Sequence, residues 1–253
     1  MPYQGPFVLA TSGLRPVPRA LREAYGQLMA AIADRSVTNP ATEQYLAAIF
    51  LMEEDGAQVV QARLAERLGH SAPTVSEMVH RLRDARYITI DGRVLRLTTS
   101  GRDLAASVIR KHRLAARLMT DVLGVPWSRV HAEADRWEHV ISDDVEARLV
   151  ELLRNPATCP HGCPIPGSGA AAEPTTVLAD AQVGQRVCLA RVLEMAKFDP
   201  AALAYLEDQD FTTGAEAVVA AQGPDGSVVL KVGDRAIVMG ASMAKLLCVR
   251  AVA

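Results

Sequence analysis

His131, Asp135, Glu138 and His139 follow one another at spacings of four, three and one. On a helix, at about 100° per residue, these four side chains fall within an arc of about 100°. Two imidazoles and two carboxylates on one face are costly unless they are solvated, paired or bound to a metal. Val130, Ala134, Trp137 and Ile141 form a second face suited to packing. An earlier helical segment carries His112, and an imidazole set against that acidic face completes a group able to hold a divalent cation. Taken singly, each histidine reads as a hydrogen-bonded surface or core group; the metal reading rests on the five together. Cys159, His161 and Cys163 could supply half of a zinc site, although no partner pair is visible. Cys188 and Cys248 lie in β-prone apolar runs and read as core.

A second constellation suits nucleic acid. A helix that enters the major groove needs small or hydrogen-bonding residues at its N-terminus. The run Ser71-Ala72-Pro73-Thr74-Val75-Ser76-Glu77 meets that need. Ser71, Thr74 and Ser76 can bond phosphates or bases, and Ala72, Pro73 and the Thr74 methyl can touch a thymine methyl. Arg63, Arg81 and Arg93 are placed to reach the backbone. The plainer reading makes Ser71 a helix cap and the arginines a solvated face.

The elements that must position these residues follow from local signals. Asn39-Pro40 reads as an N-cap followed by proline at the first helical position, opening a helix to about Glu54. Short helices are expected over Gln61–Leu68 and Ala72–Arg83. Gly69 between them suits positive φ, and Ser71 suits a cap. Asp91-Gly92 between Tyr87–Ile90 and Val94–Thr98 signals a hairpin. Helix, helix, tight turn, helix and hairpin make a winged helix-turn-helix. Three further helices are expected, over Ser100–Leu123, Trp127–Ile141 and Asp143–Leu153. Residues 156–176 read as a Pro/Gly/Ala-rich linker. Five short strands and a helix near Asp199–Leu206 then outline a small β-barrel.

Charge is distributed to match. The net charge of −2 conceals a stretch, 56–113, with 11 Lys/Arg against 5 Asp/Glu, and another, 129–151, with 3 Arg against 7 Asp/Glu. A basic module beside an acidic one suits phosphate binding beside cation binding. No apolar run is long enough to span a membrane, and the start lacks a signal-peptide pattern. Four scattered cysteines do not make a disulfide scaffold, so a cytoplasmic chain with reduced thiols is expected.

These stretches resemble the diphtheria toxin repressor and iron-dependent regulator family, which includes the manganese transport regulators. The resemblance is carried by Ala41-Thr42-Glu43-Gln44-Tyr45-Leu46, Ala65-Glu66-Arg67-Leu68, Pro73-Thr74-Val75-Ser76, Arg110-Lys111-His112-Arg113-Leu114, the run from His131 to Asp143, and Pro160-His161-Gly162-Cys163-Pro164-Ile165-Pro166-Gly167. It implies a mainly α fold with α+β parts: an N-terminal winged helix-turn-helix (41–99), a helical metal-binding and dimerisation domain (100–155), the linker (156–176) and an SH3-like β-barrel (177–253). Residues 1–40 form an extension without a counterpart.

The resemblance also implies a ligand set. The primary site of the iron-dependent members falls on Gln44, Asp135, Glu138 and His139, with oxygen donors at Gln44 and Asp135 where those members carry sulfur. Their ancillary site falls on His112, His131 and Ala116, the last in place of a glutamate, with further ligands from the C-terminal domain. In manganese-type members the position of His112 joins the carboxylate cluster. A donor set without sulfur suits harder ions. The expected function is a non-enzymatic, metal-dependent repressor that binds palindromic operator DNA as a homodimer. Mn(II) is the expected co-repressor, Fe(II) the runner-up, and Zn(II) or Co(II) can bind in vitro. The alternative is a regulator of the same fold whose metal site has decayed. A metal hydrolase lacks support, because no His-Glu-x-x-His, nucleophile elbow or phosphate loop is present.

Overall fold

The computed structural model describes residues 39–169, 174–197 and 199–252. The N-terminal extension lies outside the described residues, apart from Asn39 and Pro40. Pro40 opens helix α1 (Pro40–Glu54), where its missing N–H forfeits no helical bond. Helix α2 (Gln61–Leu68) stops at Gly69, whose φ of 65° turns the Gly69 and His70 amides back to the Glu66 and Ala65 carbonyls. The Ser71 hydroxyl then accepts from Thr74 N at 3.4 Å and caps helix α3 (Ala72–Asp84). Strands β1 (Ile88–Asp91) and β2 (Val94–Leu97) pair antiparallel, turning through Gly92 and Arg93. Tyr45, Leu46, Ile49, Leu64, Val75, Val79, Leu82, Ile88 and Leu95 form one core beneath these elements. Each large aliphatic side chain buried there contributes about 1.5–3 kcal/mol.

Thr98 joins the hairpin to the next helix. Its hydroxyl accepts from Gly101 N at 3.1 Å, capping α4 (Thr99–Asp121), and donates to Arg86 O at 2.8 Å. Helices α5 (Val130–Trp137) and α6 (Asp143–Leu152) pack on α4. Ser142 caps α6, whose first turn carries Asp143, Asp144 and Glu146, the charge favoured at a helix N-terminus.

Helix α5 is shorter than the expected 127–141. The Glu207 carboxylate accepts from Trp127 N at 2.8 Å and Ser128 N at 3.3 Å, holding both outside the helix. Downstream, the Val140 and Ile141 amides both return to Trp137 O. Glu138 and His139 therefore sit in a turn after the helix. Leu114, Met119 and Leu149 are apolar residues of the segment 100–155. They are buried in this chain's own core with Val130, Ala134 and Ile141, because α4 turns that side toward α5 and α6. Val122 and Val145 are 56% and 48% exposed.

Six strands follow: β3 (Thr176–Val177), β4 (Arg186–Val192), β5 (Glu216–Gln222), β6 (Val228–Val232), β7 (Arg235–Met239) and β8 (Leu247–Ala251). Their order is β3-β8-β4-β5-β6-β7, with antiparallel pairing throughout. Among the described residues no pairing joins β3 to β7, so the expected barrel is an open sheet. The two-residue β3 is too short for a full ladder, and register shifts within β4 and β5 bend the sheet. A short helix α7 (Glu194–Lys197) follows β4, and α8 (Pro200–Asp208) adds Leu203 and Leu206 to the sheet's core.

Three sets of contacts tie together the helices, the segment after α6 and the sheet. Asp55, just past α1, accepts from Glu194 N at 3.0 Å and pairs with Arg191 at 3.1 Å. Arg113, almost fully buried on α4, makes a two-pronged ion pair with Glu54 and donates to Pro164 O. The Trp127 indole donates to Pro160 O at 2.9 Å and packs in the sheet's core. Within the stretch 156–176, read in the sequence as linker, Thr158, Pro160, Pro164 and Pro166 are each held through their carbonyls by Arg117, Trp127, Arg113 and Arg110.

Candidate metal centre and nucleic-acid interface

Helix α4 presents His112 sideways into the space between α1 and α5. His112 Nδ1 lies 2.8 Å from Glu138 Oε2 and 3.2 Å from Asp135 Oδ1. Its Nε2 lies 3.1 Å from His131 Nδ1. His112, His131 and Asp135 offer ligand atoms that all lie within 4.8 Å of one another. The other ring nitrogen of His131 faces Glu194 Oε2 at 3.8 Å. His139 extends the cluster, with Nε2 3.3 Å from Glu138 Oε1 and Nδ1 2.7 Å from Glu43 Oε2 on α1. His112, His131, Asp135, Glu138, His139 and Glu194 line a cavity of about 230 Å³ together with Gln44, Arg67 and Arg113.

Burial alone would lower the pKa of His112, but hydrogen bonds and charge from Asp135 and Glu138 outweigh it and push the imidazole up to about 9. Burial and the neighbouring His112 cation drive His131 down to about 3. The histidine pair therefore holds one proton charge near neutrality: His112 donates through both nitrogens and His131 accepts at Nδ1. Burial raises the Asp135 carboxyl, yet the His112 hydrogen bond holds it below its ordinary range. Glu194 is also buried, but Lys197 and His131 pull it well below the usual carboxylate range.

The residues present fit a divalent ion. Two imidazoles and two carboxylates converge, with Glu43 and His139 at the margin. Among the described residues, buried Glu194 Oε2 accepts no hydrogen bond and is met by the longer contacts to Arg67 at 3.7 Å and His131 at 3.8 Å. All six expected metal residues line the one cavity. Gln44 does so as an exposed residue, whereas its neighbour Glu43 makes the contact to His139. Ala116 is buried in the helical core. Sequence reasoning missed Glu43, Glu194, Arg67 and Lys197. Glu43 and Arg67 lie within stretches that carry the family resemblance; Glu194, with Lys197 paired to it, reaches the cavity only through folding and carries no local signal.

The α3 face is arranged differently. Ser71, Ala72, Pro73, Thr74, Glu77 and Arg81 are exposed, Ser76 is half-buried, and Val75 and Val79 turn inward. Ser71 and Thr74 share a hydrogen bond of 2.8 Å between their hydroxyls. Arg63 is exposed on α2 and donates to Gln58 O at 3.2 Å, and Arg93 is exposed at the tip of the hairpin. Cys159, His161 and Cys163 are buried, but His161 Nε2 is engaged with Trp127 O at 3.1 Å. Among the described residues these three do not form a metal-spaced group.

Comparison with known proteins matches residues 38–93 to the iron-dependent repressor N-terminal DNA-binding domain. Residues 98–167 match the iron-dependent repressor metal-binding and dimerisation domain, and residues 176–251 match the FeoA domain. The chain is 56% identical over 127 residues to the iron-dependent repressor IdeR of Mycobacterium leprae, covering 50% of this chain and 55% of that protein. It thus spans about half the length of the mycobacterial relatives it matches. It is 41% identical over 199 residues to the diphtheria toxin repressor of Corynebacterium diphtheriae, covering 75% of this chain and 87% of that protein. A manganese-dependent transcriptional repressor solved in complex with manganese superposes with a TM-score of 0.75 at 30% identity, covering 83% of this chain and 100% of that one. ScaR with bound Zn2+ superposes with a TM-score of 0.70 at 28% identity, covering 83% and 99%. The shared helical modules, the extent of the diphtheria match and the solved relatives make this chain a member of the iron-dependent repressor family.

Proposed function

We propose that the protein is a metal-dependent transcriptional repressor that binds palindromic operator DNA as a homodimer, with no enzymatic role, and that it acts in the cytoplasm. The single observation that carries the metal dependence is the convergence of His112, His131, Asp135 and Glu138 on one cavity between α1, α4 and α5. Four intact donors converging on one cavity favour a working site over a decayed one. Residues 41–99 act as a winged helix-turn-helix with α3 in the major groove, and residues 100–155 as the metal-binding and dimerisation domain. After the linker 156–176, residues 177–253 act as an SH3-like module. Exposed Val122 and Leu123, just past α4, and Val145 and Leu152 on α6 supply apolar surface for a second copy. Among the described residues no helix is long and apolar enough to cross a membrane.

The ligands of the ion are drawn from His112, His131, Asp135, Glu138 and His139, with Gln44 or Glu43 contributed by α1. The donors are oxygen and imidazole, which favours Mn(II), with Fe(II) as runner-up. Zn(II) and Co(II) bind such donors in vitro, and selectivity then rests on geometry. The bound ion supplies positive charge shared among three helices. His112 must give up its proton to serve as a ligand, so binding strengthens as pH rises toward 9. Because α1 packs on α4 and contributes to the α3 core, a ligand shared between α1 and α5 sets the attitude of the recognition helix.

The test is an operator-binding titration after chelation, with Mn(II), Fe(II), Co(II) and Zn(II) added separately. Tight binding with Mn(II) and loss on chelation are expected. Response to Fe(II) without response to Mn(II) at micromolar levels overturns the metal assignment. Binding that ignores every metal restores the decayed-site reading.

A further inference from the structure

Two cysteines that the metal centre does not use lie opposite each other. Thr158 and Pro164 form an antiparallel bridge. Cys159 N donates to Cys163 O at 2.8 Å, and Ile165 N donates to Ala157 O at 2.9 Å. Cys159 and Cys163 are therefore the next rung of a miniature hairpin, with their side chains on one face. Opposed residues of this kind have Cα atoms about 5.5 Å apart, within the range a disulfide spans without moving the backbone. Gly162 fixes the turn: its φ is 80°, and a Cβ there would lie 1.9 Å from Ala190 O.

That face is electropositive. Lys197, itself buried, places Nζ 3.2 Å from Cys163 Sγ, and the Arg113 guanidinium is buried alongside. Burial would raise the Cys159 thiol, but the Cys163 hydrogen bond, Lys197 and His161 bring it well below its ordinary value. Its neighbour's negative sulfur and burial keep the proton on Cys163. A thiolate beside a protonated thiol is the arrangement that reacts with electrophilic oxygen and then resolves. Cys188 and Cys248 are equally buried, but they sit in the sheet on separate strands.

We propose that Cys159 and Cys163 are a redox-active dithiol that a hydroperoxide converts into an intramolecular disulfide. The Cys159 sulfur attacks one peroxide oxygen. The O–O bond breaks, the departing alkoxide or hydroxide takes a proton, and Cys159 becomes a sulfenic acid. The Cys163 sulfur then attacks the Cys159 sulfur, and the displaced hydroxide leaves as water with the Cys163 proton. Two thiols lose two electrons, and the hydroperoxide is reduced to an alcohol (or water) plus water. The bridge removes the negative charge of the Cys159 sulfur, which the Lys197 ammonium favours, and leaves that ammonium to Glu194, the residue facing His131.

The experiment treats the full-length reduced protein with hydrogen peroxide, then quenches, denatures and alkylates it, and maps the peptides by mass. Alkylatable thiols are expected to fall from the four of the sequence to two. The peptide holding Cys159 and Cys163 should be two hydrogens lighter, with Cys188 and Cys248 still alkylated. Lys197→Gln should slow the bridge by about tenfold; equal rates overturn Lys197 as the activating cation. In Cys163→Ser, which removes the resolving sulfur, a sulfenic acid trapped by dimedone on Cys159 is expected. Methionine oxidation in the wild-type protein with Cys159 and Cys163 still as thiols overturns the proposal. So does preferential oxidation of Cys188 or Cys248.

Discussion

The metal cavity and the α3 face are built on opposite principles. In the cavity, five elements contribute side chains, and each titratable group is held by the next: Glu43 to His139, His139 to Glu138, Glu138 to His112, His112 to His131. On α3 the candidate residues stand in solvent, and each makes at most a local bond, such as that between Ser71 and Thr74. Substitutions in a buried network should therefore be coupled, whereas those on the exposed face should act one at a time.

The sharpest way to break that contrast is His112→Ala. It removes the group both carboxylates converge on, and metal affinity measured by calorimetry should fall by at least about 100-fold. A loss within threefold would show that the ion binds elsewhere. A double-mutant cycle of His112→Ala with Glu138→Gln should show coupling of at least about 0.5 kcal/mol. The Thr74→Ala and Arg93→Ala cycle should add within about 0.5 kcal/mol.

The next effect is on the metal-free fold. His131 is held down to about 3, against about 6.5 in the unfolded chain. Its contribution is whole above pH 6.5 and is lost as pH falls from 6.5 toward 3, at up to about 1.4 kcal/mol per unit. His112 is raised to about 9, so its contribution is whole below 6.5 and fades as pH rises from 6.5 to about 9. Urea unfolding of the chelated protein should thus show greatest stability near pH 6.5. A flat profile from pH 4 to 9 would mean that the two rings are not coupled.

Smaller effects are expected on the exposed face. Thr74→Ala should cost about 1–3 kcal/mol on the operator and little on random DNA, measured by competition binding. If the operator preference survives intact, α3 is not the reading helix. Arg93→Ala should weaken both kinds of DNA and reduce the salt dependence by about one charge.

The same contrast explains what could be read from the sequence. The α3 segment is specified locally: Gly69, the Ser71 cap, the inward Val75 and Val79, and the Asp91-Gly92 turn each signal themselves within a few residues, and the observed elements follow them. The histidines and carboxylates of the cavity were legible as a set by their spacing, although α5 ends before two of them. What fixes α5 is Glu207 at its start, 80 residues from Trp127 along the chain, and no periodicity carries that information. Glu194 and Lys197 were missed for the same reason: in the sequence they are two isolated charged residues in an otherwise apolar stretch, and only the docking of the sheet pairs them with the cavity. The barrel outline followed from strand spacing, but whether a sheet closes depends on the length of its edge strands, and β3 gave no strong signal.

Helix α4 has a mechanical consequence. Its 23 residues make a rod about 34 Å long, welded at one end to the hairpin through Thr98. His112 sits about 20 Å along from that end. The histidine is thus a fulcrum and the hairpin the tip of the lever: a tilt of about 5° there sweeps the Arg93 loop through about 1.7 Å. That is half the length of a hydrogen bond to a phosphate, enough to make or break contact while every bond within the helix stays unchanged.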